Sequence, residues 1–161
     1  MPKKEKVREM FDNIAPSYDK LNHVLSMNVD RLWRRHALRE IVDGSAQRIL
    51  DVACGTGDST IAVARAAGEG SEVIGVDISE GMMSLVQGKA EKAGVADRIQ
   101  LQVADGEDLP FEEGSFDRVT CAFGIRNFEH KEKGLEEFRR VLKPGGKAVI
   151  LELSVPGSRL V

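Results

Sequence analysis

The stretch ILDVACGTGD, residues 49–58, is an apolar run that ends in an acid and breaks onto two glycines one residue apart, Gly55 and Gly57. Such a run reads as a buried strand, and the glycines let the chain turn tightly into a following helix. Twenty residues past Gly57 a second apolar run, VIGVD, ends in Asp77. An acid at the tip of the next strand is placed to accept both hydrogen bonds of a ribose diol. Either feature alone is common; together they predict a nucleotide-binding unit of strand, turn, helix and strand.

The alternation continues along the chain. Short apolar runs, RILDVA, EVIGVDIS, IQLQVAD, FDRVTCAF and KAVILEL, are separated by helical stretches of about a dozen residues, which predicts an α/β fold with five parallel strands. The first intervening helix is expected to bury Ile61, Val63, Ala64 and Ala67. The second starts at a Ser79 cap and presents Met82, Met83, Leu85, Val86 and Ala90. Leu135, Phe138 and Leu142 mark a helix before the fifth strand, and Lys143, Pro144, Gly145 and Gly146 are expected to stop it. Upstream, Val7, Met10, Phe11 and Ile14 have helical spacing until Pro16. A further helical stretch runs from Leu21 to Val42, broken near Ser26 to Asn28 and stopped by Asp43 and Gly44. The expected organisation is an N-terminal helical cap, residues 1–44, and a nucleotide-binding core, residues 45–161.

Composition excludes several classes. A net charge of −3 over 161 residues offers no global attraction to nucleic acid, although Arg31, Arg34, Arg35 and Arg39 cluster beside Trp33. Two cysteines, Cys54 and Cys121, have neither the number nor the spacing of a disulfide framework or zinc site, so a reducing cytoplasm is expected. His23, His36 and His130 are isolated from one another and from any cysteine pair, and no metal site is expected. No apolar stretch reaches the roughly 18 residues of a membrane span, and no signal-peptide core follows the charged N-terminus.

Two cofactor classes fit a glycine turn followed by a strand-end acid. A dinucleotide fingerprint wants a third small residue where this chain has Thr60, and its helix must receive a pyrophosphate. S-adenosylmethionine has no phosphate. Its amino-acid moiety lies along the turn, which needs glycine for close approach and an acid to orient the loop, and Asp51, Gly55 and Gly57 supply those parts. A third loop, ADGEDLPF, offers Asp105 and Gly106 to the adenine beside an apolar wall of Leu109 and Phe111.

LDVACGTGD, VIGVDIS, ADGEDLPF, AFGIRNF and LKPGG, in this order and spacing, resemble a class I S-adenosylmethionine-dependent methyltransferase. AFGIRN with the upstream FDNIAPSYDKLNHVLS is similar to the ubiquinone/menaquinone biosynthesis C-methyltransferases. The resemblance covers nearly the whole chain. It implies a Rossmann-like sheet ordered 3-2-1-4-5, with the family's C-terminal strand pair missing, and methylation of a polyprenylated quinol ring. It places Thr56 in the cofactor turn, Asp77 at the ribose, and Asp105 with Gly106 at the adenine. Ala53 stands where many methyltransferases have glycine, which alanine can replace if φ stays negative.

Methyl transfer to an aromatic carbon needs an electron-rich ring, so groups that stabilise a developing phenolate are sought. Arg126 and Asn127 after the fourth strand fit best, and Tyr18 and Asp58 are secondary candidates for orienting the hydroxyl. Each has a structural competitor: an Asx turn at Asp105, a helix cap for Asp77, a surface ion pair for Arg126, and helix-dipole placement for Asp58. A tail that lives in lipid implies reversible contact of the Trp33 helix with an anionic inner membrane face, and a homodimer is a further expectation. A non-catalytic S-adenosylmethionine-binding module and a nicotinamide-dependent oxidoreductase remain the alternatives. No residue here reads ring size, so naphthoquinol and benzoquinol stay open.

Overall fold

Parallel strands buried on both faces need apolar side chains on both faces. The first two runs meet that need, the third alternates with the exposed Gln100 and Gln102, and the computed structural model, which describes residues 35–55, 57–122, 125 and 128–151, pairs all five in one parallel sheet. The strands are β1 (Arg48–Val52), β2 (Glu72–Asp77), β3 (Ile99–Val103), β4 (Phe116–Ala122) and β5 (Leu142–Leu151), in the order β3-β2-β1-β4-β5. That is the predicted order. The helices are α1, described over residues 35–41, α2 (Asp58–Ala66), α3 (Glu80–Ala93) and α4 (Lys131–Val141).

Alternate residues of β1 and β2 feed two cores. Leu50, Val52, Ile74 and Val76 pack with Phe138 and Val141 of α4, while Ile49 and Val73 pack with Val63 and Ala64 of α2 and Ala90 of α3. Ala37 and Ile41 of α1 join this second cluster, so residues 35–41 pack within the sheet's own core. The rest of the expected cap, residues 1–34, lies outside the described residues.

Helix α3 starts as expected: the Ser79 side chain accepts the Met82 N–H at 3.0 Å. At α4 the structure differs from the expectation. The helix ends at Val141 and Leu142 is already extended, pairing with Phe116 as the first residue of β5. The next pair is Lys147 with Arg118, so five steps along β5 match two along β4. Lys143 to Gly146 therefore form an irregularity inside the strand rather than a helix stop, with φ +82° at Gly145. The buried face is Gly134, Phe138 and Val141, and Leu135 is 46% exposed. A stripe whose first member is glycine has no apolar side chain to announce it.

Candidate cofactor site

Because the strands are parallel, the chain leaves β1, β2, β3 and β4 at one edge of the sheet. After Val52 it curls tightly, with positive φ at Ala53 (+57°), Gly55 (+57°) and Gly57 (+89°). Gly57 N–H closes the turn onto Cys54 O at 3.0 Å, and Gly57 O accepts the Ile61 N–H at 2.8 Å, which starts α2. Glycine at 57 is required by space as well as by φ, since a Cβ there would sit 2.6 Å from Val86 Cγ1 of α3. The expectation for Ala53 is overturned: it adopts the left-handed region, where a Cβ costs about 1–2 kcal/mol.

Asp77 ties this turn to the next strand. One carboxylate oxygen accepts the Gly55 N–H at 2.9 Å and the other accepts the Ser79 N–H at 3.0 Å. The β3 exit joins the same point, Ala104 N–H donating to Asp77 O at 3.0 Å. Asp51 lies deeper, 1% exposed, where its Oδ2 accepts the Thr60 hydroxyl at 2.6 Å and its Oδ1 has no hydrogen-bond partner. Burial pushes its carboxyl up to about 7, against the Thr60 hydrogen bond and helped by the negative charge of Asp77. The same burial, with the charges of Asp51 and Asp77, pushes the Cys54 thiol up, so Cys54 is a packing residue.

The loop after β3 brings Asp105 and Gly106 to this edge: a Cβ on Gly106 would lie 2.8 Å from Val52 Cγ1 at the end of β1. Asp105 Oδ1 accepts the Glu107 N–H at 2.9 Å, the Asx turn that sequence reasoning set beside its ligand role. The expected adenine wall is not formed as imagined. Leu109 is buried in the core, and the Phe111 ring meets Phe116 edge-on at 5.1 Å. Phe116 begins β4, at the opposite edge of the sheet, because a crossover between parallel strands must carry the chain back to the start of the next strand.

Asp58, in the first turn of α2, forms a 2.7 Å ion pair with Lys89 of α3. Arg126, Asn127, Tyr18 and Thr56 lie outside the described residues, as do Trp33 and Arg34. Among the described residues no cluster of three potential metal ligands occurs, and no helix is long and apolar enough to cross a membrane. Sequence reasoning missed Thr60 as the partner of Asp51, a contact that no motif in either segment announces. The glycine inside VIGVD marks a different close approach, since a Cβ on Gly75 would stand 3.2 Å from Leu101 Cδ2 and 3.3 Å from Cys54 Sγ.

A glycine turn, a strand-end acid bridging two loops and a third loop beside them are the parts of a class I methyltransferase core, and the sequence matches the model of one such family over residues 1–161. The chain belongs to the ubiE/COQ5 methyltransferase family. It is 50% identical over 158 residues to the ubiquinone/menaquinone biosynthesis C-methyltransferase UbiE of Geobacter sulfurreducens, covering 98% of this chain and 62% of that protein. It is 49% identical over 154 residues to the demethylmenaquinone methyltransferase of Bacteroides fragilis, covering 96% of this chain and 62% of that one. The chain thus spans about 62% of the length of these relatives. Among solved structures, the [4+2]-cyclase SpnF superposes with a TM-score of 0.82 over 98% of this chain and 65% of the cyclase, at 24% identity, a likeness of fold alone.

Proposed function

We propose that this member of the ubiE/COQ5 family forms the S-adenosyl-L-methionine-binding core of an enzyme that C-methylates the ring of a polyprenylated quinol in menaquinone or ubiquinone biosynthesis. The observation that carries the reading is Asp77, whose carboxylate holds the glycine turn through Gly55 and the start of α3 through Ser79 at the shared strand edge. The residues present suit the cofactor. Gly55 and Gly57 give the turn the positive φ that lets its backbone approach the amino-acid moiety, and Asp51 keeps a buried acceptor without a hydrogen-bond partner beneath it. Bound S-adenosylmethionine supplies an electrophilic methyl group.

Asp77 receives the ribose hydroxyls on lone pairs that its two backbone bonds leave, and Asp105 with Gly106 meets the adenine. Thr56, between the two glycines in sequence, is a further cofactor contact, and Asp51 braces the start of α2 through Thr60. Arg126 and Asn127, just after β4, stabilise the phenolate that makes the ring carbon nucleophilic, with Tyr18 orienting the hydroxyl. Asp58 keeps a secondary role there, since Lys89 already engages its carboxylate. The same reading has the enzyme work in the cytoplasm, as a homodimer, and take its substrate at the inner membrane surface, where the Trp33 and arginine segment binds anionic lipid reversibly.

The test is to incubate the full-length protein with S-adenosylmethionine and either a naphthoquinol or a benzoquinol and to weigh the products. One methyl group added to carbon supports the reading; cofactor binding with neither quinol methylated points to a non-catalytic binding module. In the same assay Arg126→Ala is expected to lower turnover by roughly 10² with cofactor affinity little changed. Wild-type rates in that variant return Arg126 to a surface ion pair.

A further inference from the structure

Glu107 is a buried acid, 3% exposed, that the chemistry above does not use. Its Oε2 accepts the Glu129 N–H and its Oε1 the His130 N–H, both at 2.9 Å. These amides lie at the entrance to α4, where backbone donors lack intrahelical partners and a negative charge is favoured. His130 occupies the N-cap position of α4 and its own side chain makes no capping bond. The cap of α4 therefore comes from a distant loop, two residues past Asp105.

A second contact joins the same two segments. A Cβ on Gly106 would lie 2.5 Å from Phe128 Cζ, and one on Gly134 would lie 2.3 Å from Phe128 Cε2, so the Phe128 ring occupies a slot that both glycines leave open. Further along α4, Glu137 Oε1 accepts the Leu109 N–H at 2.8 Å, and Arg140 donates to Leu109 O and Phe111 O. The loop after β3 is thus stitched to α4 from its first residues to its last turn. A helix that needed only stability could be capped by its own serine or aspartate. Placing the acid beside Asp105 makes the entrance to α4 depend on the conformation of that loop.

We propose that Glu107 is a positioning residue that locks the loop carrying Asp105 and Gly106 to the chain entering α4, so that cofactor binding on the first orders the second. The proposal rests on the reading of Asp105 and Gly106 as adenine contacts.

Amide hydrogen exchange with and without saturating S-adenosylmethionine tests it, alongside calorimetry of cofactor binding. In the wild-type chain the cofactor is expected to slow exchange at the Glu129 and His130 amides by roughly tenfold. In Glu107→Gln one oxygen still accepts but the side-chain amide faces a backbone donor. The ligand-dependent slowing should vanish there while the cofactor still binds. Phe128→Leu, which leaves Glu107 in place and empties part of the slot, should weaken the same slowing. Ile41→Val, a core truncation in α1, should retain it, separating coupling from lost stability. Undiminished slowing in both Glu107→Gln and Phe128→Leu, or cofactor binding to the wild type without slowing, overturns the coupling alone. A wild-type chain that binds no S-adenosylmethionine overturns the cofactor reading, and the coupling with it.

Discussion

Asp51 and Asp77 end adjacent strands, and their surroundings give them different tasks. Asp77 has both oxygens on backbone N–H groups of two loops, so its removal acts on the site and on the turn together. Asp77→Ala is expected to weaken S-adenosylmethionine binding by about 2–3 kcal/mol. With the Gly55 and Ser79 backbone donors left without this partner, about 1–3 kcal/mol of stability should go as well. Calorimetry and urea unfolding read the two effects separately, and an unchanged dissociation constant would move the ribose elsewhere. Asp51, raised to about 7 by burial, binds its proton more tightly folded than unfolded. Its contribution is fully present below the unfolded value near 4 and is lost as pH rises to about 7, at about 1.4 kcal/mol per unit of displacement. The stability of the wild type relative to Asp51→Asn should therefore fall between about pH 4 and 7 and level off above; parallel profiles would mean that this carboxyl titrates normally.

At the scale of elements, α2 and α3 were legible because their starts and faces are written locally. Ser79 caps where a serine before an apolar period should, and Val63, Ala64, Met82, Val86 and Ala90 are buried at helical spacing. Helix α4 was legible as a helix but not in its facing. Its first buried position is a glycine, and its ties to the loop after β3 run through Glu107, Glu137 and Arg140, which in sequence look like a solvated charged face. The hydrogen bond from Arg140 holds the Glu137 carboxyl below its usual range, so its contribution is present above the unfolded value and is lost as pH falls. Glu137→Ala leaves Leu109 N–H and Arg140 without this partner and should cost about 1–3 kcal/mol in urea unfolding at neutral pH. A loss within a few tenths of a kcal/mol would reduce the pair to a surface contact.

For the molecule as a whole, the order β3-β2-β1-β4-β5 is what gathers the three loops, since it sets β1 between β2 and β4 and brings the ends of β1, β2 and β3 side by side. A fold shared with a [4+2]-cyclase does not fix the reaction, so the cofactor has to be tested on the intact chain. S-adenosylmethionine at about 100 times its dissociation constant should raise the unfolding free energy by about 2.7 kcal/mol, and a nicotinamide dinucleotide should leave it unchanged. The opposite pattern in thermal unfolding would favour the oxidoreductase alternative.

The sequence by itself determined the five strands, the glycine turn and the strand-end acids, because these are local signals: apolar runs of strand length, glycines where φ turns positive, and an acid at a run's end. The extent of β5 escaped it, since proline and two glycines look like a helix stop until β4 is there to pair across the irregularity. Only the tertiary structure decided that Thr60 would meet Asp51, that Phe111 would turn away to Phe116, and that Glu107 would cap a helix 23 residues further on. The first two are short-range contacts set by how a turn or loop folds back on itself, and the third joins segments on either side of β4; none of them leaves a periodicity in the sequence of either partner.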